Sequence, residues 1–181
     1  KANLPLNIFE ARYIDMIDYS LSHNRLVGMV QQKNNDELYG IGCYGKITVF
    51  NETADKRYLI NLEGVHCYKI IREIKTSHKF RICEIEIINN LNKKIIEKGL
   101  KNRILVSFKN YIKIKNLNVN AEDLFELKID DLVKFIIMIS PFDAKIKQMF
   151  LELKSNEELY NSVLSALEIE LASRQETALL N

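Results

Sequence analysis

The sequence predicts an α+β fold, a β-rich first half followed by a helical second half. Two observations carry that prediction. Side chains alternate with a period of two between Leu26 and Asn89, and with a helical period after Asn89. Turn-forming clusters, notably Lys33-Asn34-Asn35-Asp36 and Asn51-Glu52-Thr53-Ala54-Asp55, cut the first half into short runs. Antiparallel strands at such spacing suit a barrel or a curled sheet.

The first expected element is a helix. Phe9, Tyr13, Met16, Ile17 and Leu21 fall on one stripe, the buried face of an amphipathic helix. Strands follow. Between Leu38 and Phe50, Tyr39, Ile41, Cys43, Ile47 and Val49 occupy one face by parity. Tyr58, Ile60 and Leu62 alternate with Asn61 and Glu63. After Gly64 the register changes, bringing Val65 and Cys67 toward the inner face beside Tyr68 and Ile70; a glycine at such a flip suggests a bulge or tight bend. From Phe80 to Ile88, Cys83, Ile85 and Ile87 share one face and Glu84 and Glu86 the other.

Four helical stripes complete the chain. They are Ile96, Leu100, Ile104, Phe108 and Ile112; Ile129, Leu132, Val133, Ile136 and Ile137; Ile146, Met149, Phe150 and Leu153; and Tyr160, Val163, Leu164, Leu167 and Leu171. Ser140-Pro141-Phe142-Asp143 reads as a helix start, with Ser140 as N-cap and proline at the first helical position. Ser155-Asn156-Glu157-Glu158 reads as a capping box.

Composition narrows the function. At 181 residues, 47% hydrophobic and 28% charged, the chain matches an ordinary globular protein. Lys+Arg of 26 against Asp+Glu of 24 leaves a net charge of +2, which argues against a strongly basic nucleic-acid footprint. The three cysteines, Cys43, Cys67 and Cys83, are odd in number and widely spaced, so they are expected to be small buried apolar residues in a reducing compartment. The longest apolar run, Phe135 to Ile139, is far short of the ~20 residues a membrane helix needs. No membrane association is expected, and the cytoplasm is the expected location.

Several segments imitate chemistry. Gly40-Ile41-Gly42-Cys43-Tyr44-Gly45-Lys46 satisfies G-x-G-x-x-G and G-x-x-x-x-G-K, but its flanks alternate as a strand and Ile47 stands where a phosphate loop needs Ser or Thr. His23, His66 and His78 are scattered, and His66 and Cys67 point to opposite faces of a strand, so no metal or other cofactor is expected. Ser107, Ser140 and Ser165 lie on expected helices or caps without a glycine-framed nucleophile turn. Glu84 and Glu86 are on an expected solvated face. No catalytic constellation emerges, and the chain is not expected to be an enzyme. Phe108-Lys109-Asn110-Tyr111-Ile112-Lys113-Ile114-Lys115 mixes lysines with aromatics, but the aromatics follow the buried helical stripe.

Leu4-Pro5-Leu6-Asn7-Ile8-Phe9-Glu10-Ala11-Arg12-Tyr13 resembles the LPLxIFExRY signature of the LON substrate-binding domain, the N-terminal domain of Lon-type ATP-dependent proteases. Leu26-Val27-Gly28-Met29-Val30 resembles the strand that follows it. Tyr39 to Ile47 is similar to the family's VGCxGxI stretch, and Arg57-Tyr58-Leu59-Ile60 with Leu62-Glu63-Gly64-Val65 to its GRYLIxLxGV segment. Pro141-Phe142 with Lys147-Gln148 is similar to an element of its stand-alone members. One departure is Cys67, where the family usually carries arginine.

The resemblance implies a PUA-like β-barrel of about six short strands with one helix over residues 1–91, then a bundle of about four helices over 92–181. It implies that the family's opening strand is missing before Lys1, which would leave one barrel edge open. The motif residues Pro5, Phe9, Glu10, Arg12, Tyr13, Gly42, Gly45 and Gly64 are expected to be structural. Phe9 and Tyr13 would hold the helix to the barrel, while Glu10 suits the helix's positive end and can meet Arg12. The implied function is non-enzymatic recognition of unfolded or tagged protein segments, without ATPase or protease domains. The alternatives are an RNA-binding PUA-like domain and a small-molecule sensor. Oligomeric state is not legible.

Overall fold

The computed structural model describes residues 3–33, 37–88, 97–120 and 122–179, with side chains described as far as residue 173. The chain divides into two compact units, Lys1–Asn90 and Leu91–Asn181. The fold is α+β, an antiparallel sheet with five helices in all among the described residues.

In the first unit, β1 (Asn3–Ile8) leads into α1 (Ala11–Leu21), followed by β2 (Leu26–Met29), β3 (Ile41–Glu52), β4 (Tyr58–Ile74) and β5 (Ile82–Ile87). The sheet order is β1-β4-β3-β2, with β5 also on β4. The long β4 organises it. One edge of β4 pairs with β3; the other pairs first with β1, from Tyr58 to Glu63, and then with β5, from Tyr68 to Ile74. Outer edges of β1, β2 and β5 carry no further strand among the described residues, so the expected barrel of about six strands is here an open sheet of five. An isolated bridge, Gln32 to Leu38, brackets the expected turn at 33–36, of which residues 34–36 lie outside the described residues.

The β3–β4 hairpin closes where turn residues cluster. Thr53 N–H donates to the Arg57 carbonyl at 2.9 Å, Arg57 N–H to Thr53 Oγ1 at 3.1 Å, and Lys56 takes a left-handed φ of 62°. Two bulges then break the pairing. Tyr44 faces His66 but Gly45 faces Gly64, which leaves Val65 as an extra residue at the expected glycine. Ile47 faces Leu62 but Val49 faces Asn61, which leaves Thr48 extra.

These bulges correct the simple parity of Tyr39 to Val49. Ile47 is buried, whereas Val49 is 49% exposed, because the extra residue at Thr48 swaps its side. Beyond Gly64 the inner place goes to Tyr68, 4% exposed, and not to Val65. The Tyr68 ring fills space left by glycines: a Cβ on Gly42 would lie 2.8 Å from its Oη, and one on Gly28 2.9 Å. The core of the unit is Ile17 of α1 with Val27, Ile47, Ile60 and Leu62 of the sheet. Helix α1 is also tied down by polar contacts, Ser20 Oγ donating to Leu26 O at 3.0 Å and Tyr58 Oη to Asp18 Oδ1 at 2.9 Å.

The second unit contains α2 (Leu100–Lys115), α3 (Ile129–Ile139), α4 (Ala144–Glu152) and α5 (Asn156–Leu179). The expected stripes supply its core. Leu100, Ile104, Phe108 and Ile112 of α2 bury with Leu132, Val133 and Ile136 of α3, and with Tyr160, Val163, Leu164 and Leu167 of α5. Ile96 lies outside the described residues. Asn116 ends α2 in the left-handed conformation, a role asparagine tolerates.

Two helix-boundary expectations are revised. Ser140 caps the C-terminal end of α3 and is 1% exposed; α4 opens later, with Asp143 at its N-cap. On α4 the buried residues are Gln148 and Phe150, while Met149, expected on the inner stripe, is 44% exposed. The Ser155 box forms: Glu158 N–H donates to Ser155 Oγ at 3.2 Å. The Glu158 carboxylate reaches back to Lys154 N–H, one residue earlier than the usual partner.

Candidate functional site

The motif at the N-terminus builds a corner between β1 and α1. Leu6 and Ile8 of β1 pack toward the first unit's core. Pro5 pairs in register with Asn61 of β4 and sits on β1, the last strand of the sheet on that side among the described residues, a position where proline is tolerated. The chain then turns before α1 starts at Ala11, so Phe9 precedes the helix. Phe9 is 68% exposed, not buried on the helix stripe as its spacing suggested. The stripe begins with half-buried Tyr13.

Around Phe9 the corner is charged. Glu10 is the N-cap residue of α1 but makes no side-chain capping bond; its Oε2 instead pairs with Arg12 at 3.0 Å. The Arg12 guanidinium also lies 4.6 Å from the centre of the Tyr13 ring. Because Glu10 and Arg12 are both exposed, their pair adds little stability. The corner thus presents one large apolar ring to solvent beside a guanidinium and a carboxylate.

A second feature of the first unit was invisible to spacing. Tyr19 of α1 stacks on His23 with ring centres 4.1 Å apart and meets His78 at 5.0 Å; His78 in turn stacks on Phe80 at 4.8 Å. The Tyr19, His78 and Phe80 rings, with Asp15, Asp18, Ser77 and Lys79, line an open cleft of about 340 Å³. Its lining combines three rings with two carboxylates and one lysine, a mixture suited to a flat group with both apolar and polar edges. Donation to Asp18 and partial burial hold the Tyr58 hydroxyl above its ordinary pKa. No local motif announced this cluster, since its histidines are 55 residues apart in sequence.

The other candidates have structural roles. Gly42 and Gly45 are buried because neither position has room for a side chain: a Cβ on Gly45 would lie 2.6 Å from Leu62 Cγ. Gly64 sits at the bulge. The glycine-rich lookalike runs along β3, and no helix follows it to present amides to a phosphate. Among the described residues no three His, Cys, Asp or Glu side chains are grouped to hold a metal ion. His66 faces the Tyr44 ring at 6.3 Å, and Glu84 pairs with Arg72 at 2.6 Å.

In the second unit, Phe108 and Tyr111 are fully buried and so unavailable for stacking on bases. Lys109 lies over the Phe125 ring, Lys115 pairs with Glu170 at 2.7 Å, and Lys113 is exposed. Ser107 is half-buried on α2 and Ser165 exposed on α5. Among the described residues the buried hydroxyls of Tyr111 and Ser140 have no hydrogen bond of good geometry, although Ser140 lies near enough to oppose the upward push of burial on Tyr111.

The family model described as the ATP-dependent protease La (LON) substrate-binding domain matches residues 1–168. The chain belongs to that family. Among solved structures, this LON domain superposes on the N-terminal domain of Mycobacterium avium complex Lon protease with a TM-score of 0.72 and 11% identity, over 92% of this chain and 90% of that one. A Lon N-terminal domain protein from Xanthomonas campestris gives a TM-score of 0.70 at 12% identity, covering 91% of this chain and 89% of the other. In sequence the LON domain is 25% identical to the Lon protease of Dictyoglomus thermophilum over 161 residues, and 19% identical to that of Bacillus thuringiensis over 177. Those alignments take in 82% and 92% of this chain but only 20% and 22% of the two proteases. The chain thus spans about a fifth of the length of the curated relatives it matches. No helix among the described residues is long and apolar enough to cross a membrane.

Proposed function

We propose that this LON domain is a non-enzymatic recognition module that binds exposed apolar segments of unfolded or tagged proteins. The observation that carries the proposal is the family match across residues 1–168, whose description is a substrate-binding domain. Phe9 supports it: a phenylalanine 68% exposed beside charged residues offers contact area that an extended chain can bury. The Tyr19–Phe80 cleft offers a second aromatic surface. In this reading residues 1–91 form a PUA-like subdomain and 92–181 a helical one. Pro5, Tyr13, Gly42, Gly45 and Gly64 shape the sheet and its helix, while Phe9, with Glu10 and Arg12 beside it, faces the ligand. The module works in the cytoplasm, without ATPase or protease activity of its own.

The test is fluorescence anisotropy of a labelled, reduced and unfolded polypeptide against its folded counterpart. Preferential binding of the unfolded form is expected, and Phe9→Ser should weaken it about tenfold, since burying such a ring is worth ~1.5–3 kcal/mol. Equal binding of folded and unfolded forms would remove the proposal. An unchanged affinity in Phe9→Ser would remove Phe9 from it.

A further inference from the structure

Cys43 and Cys67 are 24 residues apart in sequence, yet the β3–β4 register sets them directly opposite each other. Their sulfur atoms lie 3.4 Å apart, and both side chains are half-buried. The type of pairing decides what such a pair can do. Ile70 N–H donates to Gly40 O at 2.8 Å, which makes Gly40 and Ile70 a hydrogen-bonded pair. Counting along the uninterrupted register from there, Gly42 and Tyr68 are the next hydrogen-bonded pair, and Cys43 and Cys67 occupy a non-hydrogen-bonded site. At such sites the backbones approach most closely, with Cα atoms about 4.5 Å apart, at the short end of the range a disulfide spans. Cys67 is also fixed from its other side, because Ile88 N–H donates to its carbonyl at 3.0 Å. The two thiols are therefore held face to face by the sheet on both sides.

We propose that Cys43 and Cys67 form a reversible cross-strand disulfide, with a low-molecular-weight disulfide such as oxidised glutathione as the oxidant. One cysteine sulfur, as thiolate, attacks the glutathione disulfide; a mixed disulfide forms and one glutathione thiol leaves. The opposite cysteine sulfur attacks the mixed disulfide, forming the Cys43–Cys67 bond and releasing the second glutathione. Two protein thiols are oxidised, one glutathione disulfide is reduced, and the two protein protons end on the two glutathione thiols.

Two features shape the chemistry. The hydrogen bond to Cys67 and burial together push the Cys43 thiol well above its usual pKa. Cys43 is consequently a poor source of thiolate. Both side chains are half-buried and not sealed in the core, so a small thiol reductant can reach the resulting disulfide. Cys83, on β5 opposite Glu73, provides an internal control. This site is independent of the protein-binding proposal.

The experiment incubates the folded chain overnight in glutathione buffers from reducing to oxidising. Reaction is quenched with acid, remaining thiols are alkylated, and intact and digested protein are analysed by mass spectrometry. The expected product is about 2 Da lighter than the dithiol before alkylation. Its Cys43 and Cys67 peptides, separable by cleavage at Lys46 and Arg57, are joined, while Cys83 is alkylated. A thiol reductant restores the starting mass. Cys83→Ser is expected to keep the link, and Cys67→Ser to lose it. Three outcomes overturn the proposal: links through Cys83, oxidation that stops at glutathione adducts, or an unchanged mass in the most oxidising buffer. Should Cys67→Ser fail to fold, the Cys83→Ser protein still decides between these outcomes.

Discussion

Adding one methyl group at Gly42 is expected to destabilise the first unit far more than adding one at Gly40, two residues away. At Gly42 the new Cβ would lie 2.5 Å from the carbonyl oxygen of Met29 and 2.8 Å from Tyr68 Oη. Ordinary contact begins at 3.4 Å, so the first approach is short by about 0.9 Å. Tyr68 is buried and cannot swing out cheaply, and the Met29 oxygen belongs to the backbone of β2. Relief requires moving β2, which is held to the sheet through its four pairs with β3. Overpacking of this kind costs ~1–3 kcal/mol, and a clash with backbone belongs at the upper end. For a unit of this size ~3 kcal/mol lowers the melting temperature by roughly 10 °C or more. At Gly40 an added Cβ meets nothing within 4 Å, so Gly40→Ala should be neutral or raise stability by up to ~1 kcal/mol through the unfolded chain. Calorimetric melting of the two variants of the full chain tests this directly. Equal melting temperatures within about 2 °C would refute the packing argument.

Two further outcomes follow from burial. Phe108→Ala should cost ~3–5 kcal/mol, enough to unfold much of the second unit, whereas Val106→Ala on the same helix, at 61% exposure, should stay within ~0.5 kcal/mol; helical circular dichroism during urea titration measures both. Burial pushes the Tyr68 hydroxyl from 10.0 up to about 12. The neutral form is thus favoured by folding, and this contribution is complete below pH 10 and lost as pH rises through about 12. Tyr68→Phe should show a shallower alkaline loss of stability across that window, and an unchanged slope would deny Tyr68 that role.

Local patterns determined much of the architecture. Residues three and four apart on α2, α3 and α5 face the same way whatever surrounds them, so Ile104, Phe108, Leu132, Val133, Val163 and Leu167 were legible as core. Gly64 marked a bulge because a lost side chain and a change of parity both show in the sequence itself. Ser155 with Glu158 marked a helix start by chemistry confined to one turn.

Tertiary structure alone decided the rest. Parity assigned Val49 to an inner face, but the bulge at Thr48, set by pairing with β4, turned it out. Phe9 fits the helical stripe by number, yet β1 runs to Ile8 and leaves it in the turn before the helix. Ser140 reads as the N-cap of the helix after it, but the backbone makes it the C-cap of α3. His23 and His78 meet at Tyr19, and Cys43 meets Cys67, through a chain path that brings distant segments together. Spacing along a chain encodes neighbours within one helix or strand. Which residues meet across a sheet depends on register, and register is settled by the packing of the whole face.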